Sequence, residues 1–190
     1  NECSASNLAS SHTVTCTNSG TITDVGSVTN SVNTVKITDS NGNDVTNNYS
    51  ITKASGKLTV TKANSVNPTL TAYEGIYDAT SHTFTMSGGV GGTINYSTNN
   101  GTTWTTTKPT RTTAGTTTVQ VKIVGDKNHN DTSVISTTIK IDKRAITVKA
   151  AVAEKIYDGT VLTKTDGCES STNLVSGHEA KCTNTGALLN

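Results

Sequence analysis

Thr116-Thr117-Thr118-Val119-Gln120-Val121-Lys122-Ile123-Val124 decides the fold. Its apolar residues fall on every second position, the period at which side chains of a strand return to one face. The stretch predicts a strand that buries Val119, Val121 and Ile123 and presents Thr, Gln and Lys to water. Ser136-Thr-Thr-Ile139-Lys-Ile141-Asp142 repeats the pattern. Upstream, His82-Thr-Phe84-Thr-Met86 alternates and Gly88–Gly92 turns. Thr93-Ile94-Asn95-Tyr96-Ser97 forms a further strand. Asn99-Asn100-Gly101 supplies a hairpin turn, because Asn and Gly tolerate positive φ. Trp104 is expected to open the returning strand. Tyr73, Phe84, Ile94, Tyr96, Trp104, Val119, Val121, Ile123, Ile139 and Ile141 are the expected core. The chain is therefore read as all-β, made of small β-sandwiches.

Composition agrees. The chain has 190 residues and a net charge of +1; 32% is hydrophobic, 4% aromatic and 15% charged. Thr accounts for 40 residues, and Ser and Asn for 19 each. Helix formers are scarce, and Thr and Val favour strands. The balanced charge provides no basic field for nucleic acid. There is no apolar run of the length that spans a membrane, and no charged-then-apolar stretch reads as a signal peptide.

Repeats organise the chain. Cys3-Ser-Ala-Ser-Asn7-Leu8-Ala-Ser-Ser-His12-Thr-Val-Thr-Cys16 resembles Cys168-Glu-Ser-Ser-Thr-Asn173-Leu174-Val-Ser-Gly-His178-Glu-Ala-Lys-Cys182, with one residue inserted. The two copies lie about 165 residues apart, so the chain covers slightly more than one long period. Tyr73-Glu-Gly-Ile76-Tyr77-Asp78-Ala79-Thr80 resembles Glu154-Lys155-Ile156-Tyr157-Asp158-Gly159-Thr160 at about half that spacing. Three segments follow. Residues 1–62 hold the late strands of one sandwich. Residues 63–143 form a complete one, and residues 144–190 hold the early strands of the next. Two origins fit the halves: excision from a tandem array, which is simpler, or strand complementation between copies.

Each cysteine pair is expected to close as a disulfide, Cys3 with Cys16 and Cys168 with Cys182, which suits an oxidising, extracellular setting. Free thiols and zinc are the alternatives, zinc because His12 and His178 each precede the second Cys by four residues. The short Cys-x-x-Cys clusters of zinc sites are missing. Asp39-Ser-Asn41-Gly-Asn43-Asp44 alternates oxygen ligands as calcium loops do, so Asp39, Asn41 and Asn43 form a weak calcium candidate. An Asn-Gly turn is the simpler reading.

The residues also carry a family resemblance. Tyr157-Asp158-Gly159-Thr160 after Ala145-Ile146-Thr147-Val148, and Asn48-Tyr49-Ser-Ile51 before Gly56-x-Leu58-Thr59-Val60, resemble the YDG and MBG repeat domains of bacterial surface adhesins. The middle segment resembles bacterial immunoglobulin-like repeats through Tyr77-Asp78, Tyr96-Ser97, Gly101, Trp104, Ala114-Gly115 and Val119-x-Val121. It departs at Ala79, where Gly is usual. The resemblance implies tandem immunoglobulin-like β-sandwich repeats in the stalk of a secreted or wall-anchored protein. It implies neighbouring copies or repeats as end-to-end partners and a host ligand elsewhere in the full protein.

Catalytic motifs are weak. His178-Glu179 begins a zinc-protease motif, but Cys182 stands where the second His belongs. Ser50-Ile-Thr-Lys53 lacks its companion motifs. The Gly88–Gly92 run lacks the helix and Lys of a phosphate cradle. Four Asn-x-Ser/Thr sequons, beginning at Asn48, Asn95, Asn100 and Asn130, are expected by chance in so much Asn and Thr. Lys122 and Lys140 on strands are isopeptide candidates. No enzyme activity and no cofactor are expected. The expected role is a rigid extracellular spacer; the alternative is a glycan- or host-protein-binding module with Tyr96 and Trp104 as a sugar platform.

Overall fold

The computed structural model describes residues 3–163, 168–182 and 187–188, with the backbone alone at 168–171 and 187–188. Strands dominate. The 3-10 turn Thr46–Asn48 is the sole helical segment among the described residues. The all-β expectation therefore holds.

The chain folds as two units. The first takes residues 1–66 together with 90–93 and 123–132. The second takes 67–89, 94–122 and 133–190.

The first unit is a set of strand pairs. Thr13–Asn18 lies antiparallel to Val32–Thr38, with Cys16 opposite Val35 and Val14 opposite Ile37. Ile37 is 3% exposed and anchors this pair. Gly26–Asn30 lies antiparallel to Gly56–Val60. Residues 123–132 join through contacts that no local pattern encodes. His129 and Asn130 pair in parallel with Ala63 and Asn64. Lys127 Nζ meets Asp24 Oδ2 at 2.6 Å, and the Val25 N–H donates to Asn128 Oδ1 at 2.9 Å. Gly125 sits where an added Cβ would run into the His129 carbonyl oxygen, so backbone approach fixes its identity.

Most of a four-stranded sheet lies in the second unit, its strands in the order Tyr73–Ile76, Ile135–Asp142, Gly115–Gly125, Gly92–Ser97. The two long strands are antiparallel, with Val119 opposite Thr137 and Val121 opposite Ile135. Ile135–Asp142 also pairs in parallel with Tyr73–Ile76, Ile139 facing Tyr73. That parallel pairing is invisible to periodicity. Phe84, Tyr96, Val119, Val121 and Ile139 form one buried cluster, with Leu70, Tyr73, Met86, Ile94 and Ile135 packed against it. Val119, Val121 and Ile123 are completely buried, as their alternation requires.

Two expectations of the sequence are modified. Trp104 does not open a strand: the return is a single bridge between Tyr96 and Thr105. The side chains of the turn take up its backbone groups instead. Ser97 Oγ accepts the Gly101 N–H at 2.9 Å, and Asn99 Oδ1 accepts the Thr103 N–H at 3.0 Å. Trp104 is likewise not in the core; it is half-buried, with its ring against the turn.

Candidate functional site

The residues singled out in the sequence fall into two recurring local structures. The first is the cysteine loop. Cys3 and Cys16 are joined by a disulfide with a Cα–Cα distance of 6.1 Å. Cys182 is also disulfide-bonded, while the Cys168 side chain lies outside the described residues. Within the first loop Asn7 and Ser11 adopt positive φ, 61° and 66°, and the His12 N–H donates to the Ala9 carbonyl at 3.1 Å. The second loop repeats each element. Asn173 and Gly177 have φ of 65° and 81°, and the His178 N–H donates to the Val175 carbonyl at 3.0 Å. The correspondence of Asn7-Leu8 with Asn173-Leu174 is thus a correspondence of conformation. Asn tolerates the left-handed region through its short polar side chain.

The loops differ in what holds them. The Tyr49 hydroxyl accepts the Ala9 N–H at 3.2 Å and lies 2.7 Å from His12 Nδ1. The two rings meet edge to face at 5.9 Å. Loop 173–178 instead faces Tyr77, whose ring is 5.9 Å from His178. Arg144 Nε donates to the Asn173 carbonyl at 2.6 Å. A cavity of about 460 Å³ remains, lined by Tyr77, Arg144, Ile146, Leu174, Val175 and His178 among others. Sequence reading missed Tyr49 and Arg144. The Asn-Tyr-Ser-Ile stretch marked Tyr49 only as a late-strand feature.

The second recurring structure is the Tyr-Asp-x-Thr turn. Asp78 Oδ1 accepts the Thr80 N–H at 2.8 Å and the Thr80 hydroxyl at 2.7 Å. Asp158 Oδ1 does the same for Thr160 at 2.9 and 2.8 Å. The residue between them is left-handed in both: Ala79 at φ 66° and Gly159 at φ 75°. This geometry explains why glycine suits the position and why alanine is strained there. Ala79→Gly is expected to raise the stability of the second unit by about 0.5–1 kcal/mol, the left-handed penalty of alanine less the extra backbone entropy of glycine. Gly159→Ala shifts stability the other way. Urea denaturation of both variants checks the pair; a loss of stability in Ala79→Gly would contradict the strain account.

The aspartates have different second partners. His82 Nε2 lies 2.9 Å from Asp78 Oδ1, and the imidazole stacks on Tyr73 with centroids 4.4 Å apart. At the other turn Lys155 Nζ lies 2.7 Å from Asp158 Oδ1. Lys155 stands where the first turn has Gly75, over which the Tyr73 phenol lies. Hydrogen bonds from His82, then from Thr80, pull the Asp78 carboxyl down to about 2. Its folded value is below the unfolded one, so its contribution is present above pH 3.8 and is lost as pH falls from 3.8 toward 2. A carboxyl NMR titration is expected to place the Asp78 midpoint near 2; in His82→Ala it should move toward 3.8.

The remaining candidates resolve as structure-supporting groups. Asp39, Asn41 and Asn43 do converge, in one turn. Asp39 Oδ1 accepts the N–H groups of Asn41 and Asn43, each at 2.9 Å, and Oδ2 accepts Asn43 Nδ2 at 3.0 Å. The side-chain bond from Asn43, then its backbone bond, lowers the Asp39 carboxyl. Gly42 completes the turn at φ 84°. The carboxylate thus serves the loop's own donors. Tyr96 is buried in the core, and burial raises its phenol. The Trp104 indole N–H donates to the Gly101 carbonyl at 3.1 Å, and Lys122 Nζ stands over its ring at 4.5 Å. A cation on the ring face is a stabilising use of that face; Tyr96 and Trp104 therefore do not present a joint open platform. Among the described residues no group of three His, Cys, Asp or Glu is arranged to hold a metal, and no helix is long and apolar enough to cross a membrane.

No protein-family model matches the chain, and no curated protein matches it.

Proposed function

We propose that this chain is a structural repeat segment of an extracellular bacterial surface fibre or adhesin stalk. It acts as a rigid spacer built from tandem immunoglobulin-like β-sandwiches of the YDG/MBG and bacterial immunoglobulin-like type. Its partners are neighbouring copies or repeats, end to end. One observation carries the reading: two local structures recur along one chain with the same dihedrals and hydrogen bonds. Residues 7–12 return at 173–178, and residues 77–80 return at 157–160. Recurrence of whole modules is the mark of an array that gains length by repetition. The conserved geometry sits in turns and disulfide loops that stabilise each module, and the module chemistry is otherwise small, polar and uncharged. Short junctions such as residues 142–147 contain no Gly/Ser linker, which limits bending between modules.

Electron microscopy of the native material tests this reading. Strands of about ten residues give a sandwich roughly 35 Å long, so a two-module repeat advances about 70 Å. A beaded filament with that spacing is expected. Isolated compact particles would contradict it. So would saturable glycan binding lost in a folded Trp104→Ala protein, which would favour a binding module.

A further inference from the structure

Loop 173–178 has the shape of loop 7–12, with the Tyr77 ring 5.9 Å from His178 in place of a tyrosine hydroxyl bonded to the loop. The Tyr49 hydroxyl clamps the first loop by meeting the Ala9 N–H and His12 Nδ1. The second loop presents Val175 and His178 at the same positions, in the same conformation. Its Leu174, Val175 and His178 form one wall of the 460 Å³ cavity. Along the chain from Ile146, which lines the cavity, apolar residues are open to water: Ile146 and Val148 are each 46% exposed, Val161 43%, Tyr157 74% and Ile156 92%. Isolated exposed apolar residues are ordinary, but a run of them marks a surface awaiting a partner. In the first unit the exposed large hydrophobic residues among those described, Ile51, Val66, Val90 and Val124, are scattered along the chain.

We propose that loop 173–178 and the apolar stretch 146–161 form a docking surface for residues 32–51 of a second copy of this chain, with that copy's Tyr49 entering the cavity. The proposal rests on the repeat-module reading above. The occupant follows from the first unit, where the same loop sequence is already covered by this segment. The burial alternation of residues 179–182 matches that of Thr13–Cys16. Carrying over the observed register sets Glu179 opposite Thr38 of the second copy, Ala180 opposite Ile37 and Cys182 opposite Val35. The second copy's own residues 3–18 leave as residues 168–182 arrive. Because the two segments correspond, the contacts exchanged nearly cancel, which makes such swaps inexpensive. The balance is tipped by burial of the 146–161 stretch. One feature opposes it: Lys181 faces Lys36, where the first unit has Thr15. Salt screens an exposed like-charge pair, so assembly strengthens as salt rises.

Sedimentation velocity over a concentration series of the intact chain tests the proposal. The average mass is expected to rise with concentration. His178→Ala removes one clamp on the incoming tyrosine and should weaken assembly about three- to ten-fold. His12→Ala weakens the internal competitor and should strengthen assembly by a similar factor. Ile156→Asp alters a residue in open water, leaves folding intact and should weaken assembly. A chain that stays monomeric throughout overturns the proposal, as does a shift of both histidine variants in the same direction. A monomeric chain that buries Tyr157 once a further copy of residues 21–62 is appended after residue 190 identifies the covalent next repeat as the occupant. The second-copy docking then falls while the repeat-module reading stands. If the appended chain buries nothing, both fall.

Discussion

Phe84→Ala is expected to destabilise the second unit by about 3–5 kcal/mol. Phe84 is completely buried, among Tyr96, Val119, Val121 and Ile139. Its ring meets Tyr96 edge to face, with centroids 6.1 Å apart. Lys108 Nζ also stands 4.6 Å from the ring centroid, so the substitution removes a cation–π contact along with the packing. Its aromatic neighbours Tyr96 and Tyr73 are themselves packed in or against the cluster. Val and Ile are stiff at χ1, which limits collapse of the cavity and places the cost high in the range. Urea unfolding followed by Trp104 fluorescence measures it. A loss below about 1 kcal/mol would mean that the cluster relaxes freely, contrary to close packing.

Replacing both Cys3 and Cys16 by Ser should cost the first unit about 3 kcal/mol, the loop-entropy value for a crosslink of this span. This unit buries little: Ile37 is its main anchor among residues 3–62. The bridge ties the strand Thr13–Asn18 to the chain before loop 7–12, whose other support is Tyr49. Hydrogen exchange should accelerate first at Thr13–Asn18 and its partner Val32–Thr38, while the second unit keeps its protection. Equal acceleration in the sheet around Val119 would contradict a local role for the bridge.

Legibility followed the range of the interaction. Residues 115–125 and 135–142 were readable as strands because alternation is a local consequence of pleating. Seven of the ten expected core residues are buried: Phe84, Tyr96, Val119, Val121, Ile123, Ile139 and Ile141. Trp104 was misplaced because hydrophobicity does not reveal that an indole N–H will cap a turn carbonyl. The parallel pairing of Ile139 with Tyr73 was not legible, since nothing local encodes which edge a strand chooses. The placement of residues 123–132 beside Asp24 and Ala63 was equally hidden. It depends on pairs such as Lys127 with Asp24, whose members are 103 positions apart.

The candidate sites show the same division. The repeats were read as text, and both the cysteine loops and the Tyr-Asp-x-Thr turns proved to be repeats of conformation. Ala79 was visible as an exception, but the reason for it, a φ of 66°, needed coordinates. The turn at Asp39 was readable from Asn-Gly. Its carboxylate's use by its own backbone N–H groups was not.

The sequence by itself thus determined the strand class, the core face of each long strand, the turn positions and the repeat period. All of these follow from chirality, pleat and local hydrogen bonding, which act over a few residues. The tertiary structure alone decided which strands adjoin, which loop Tyr49 clamps and which apolar stretch stays open. Those outcomes depend on groups tens of residues apart competing for the same surface, and no local pattern ranks the competitors.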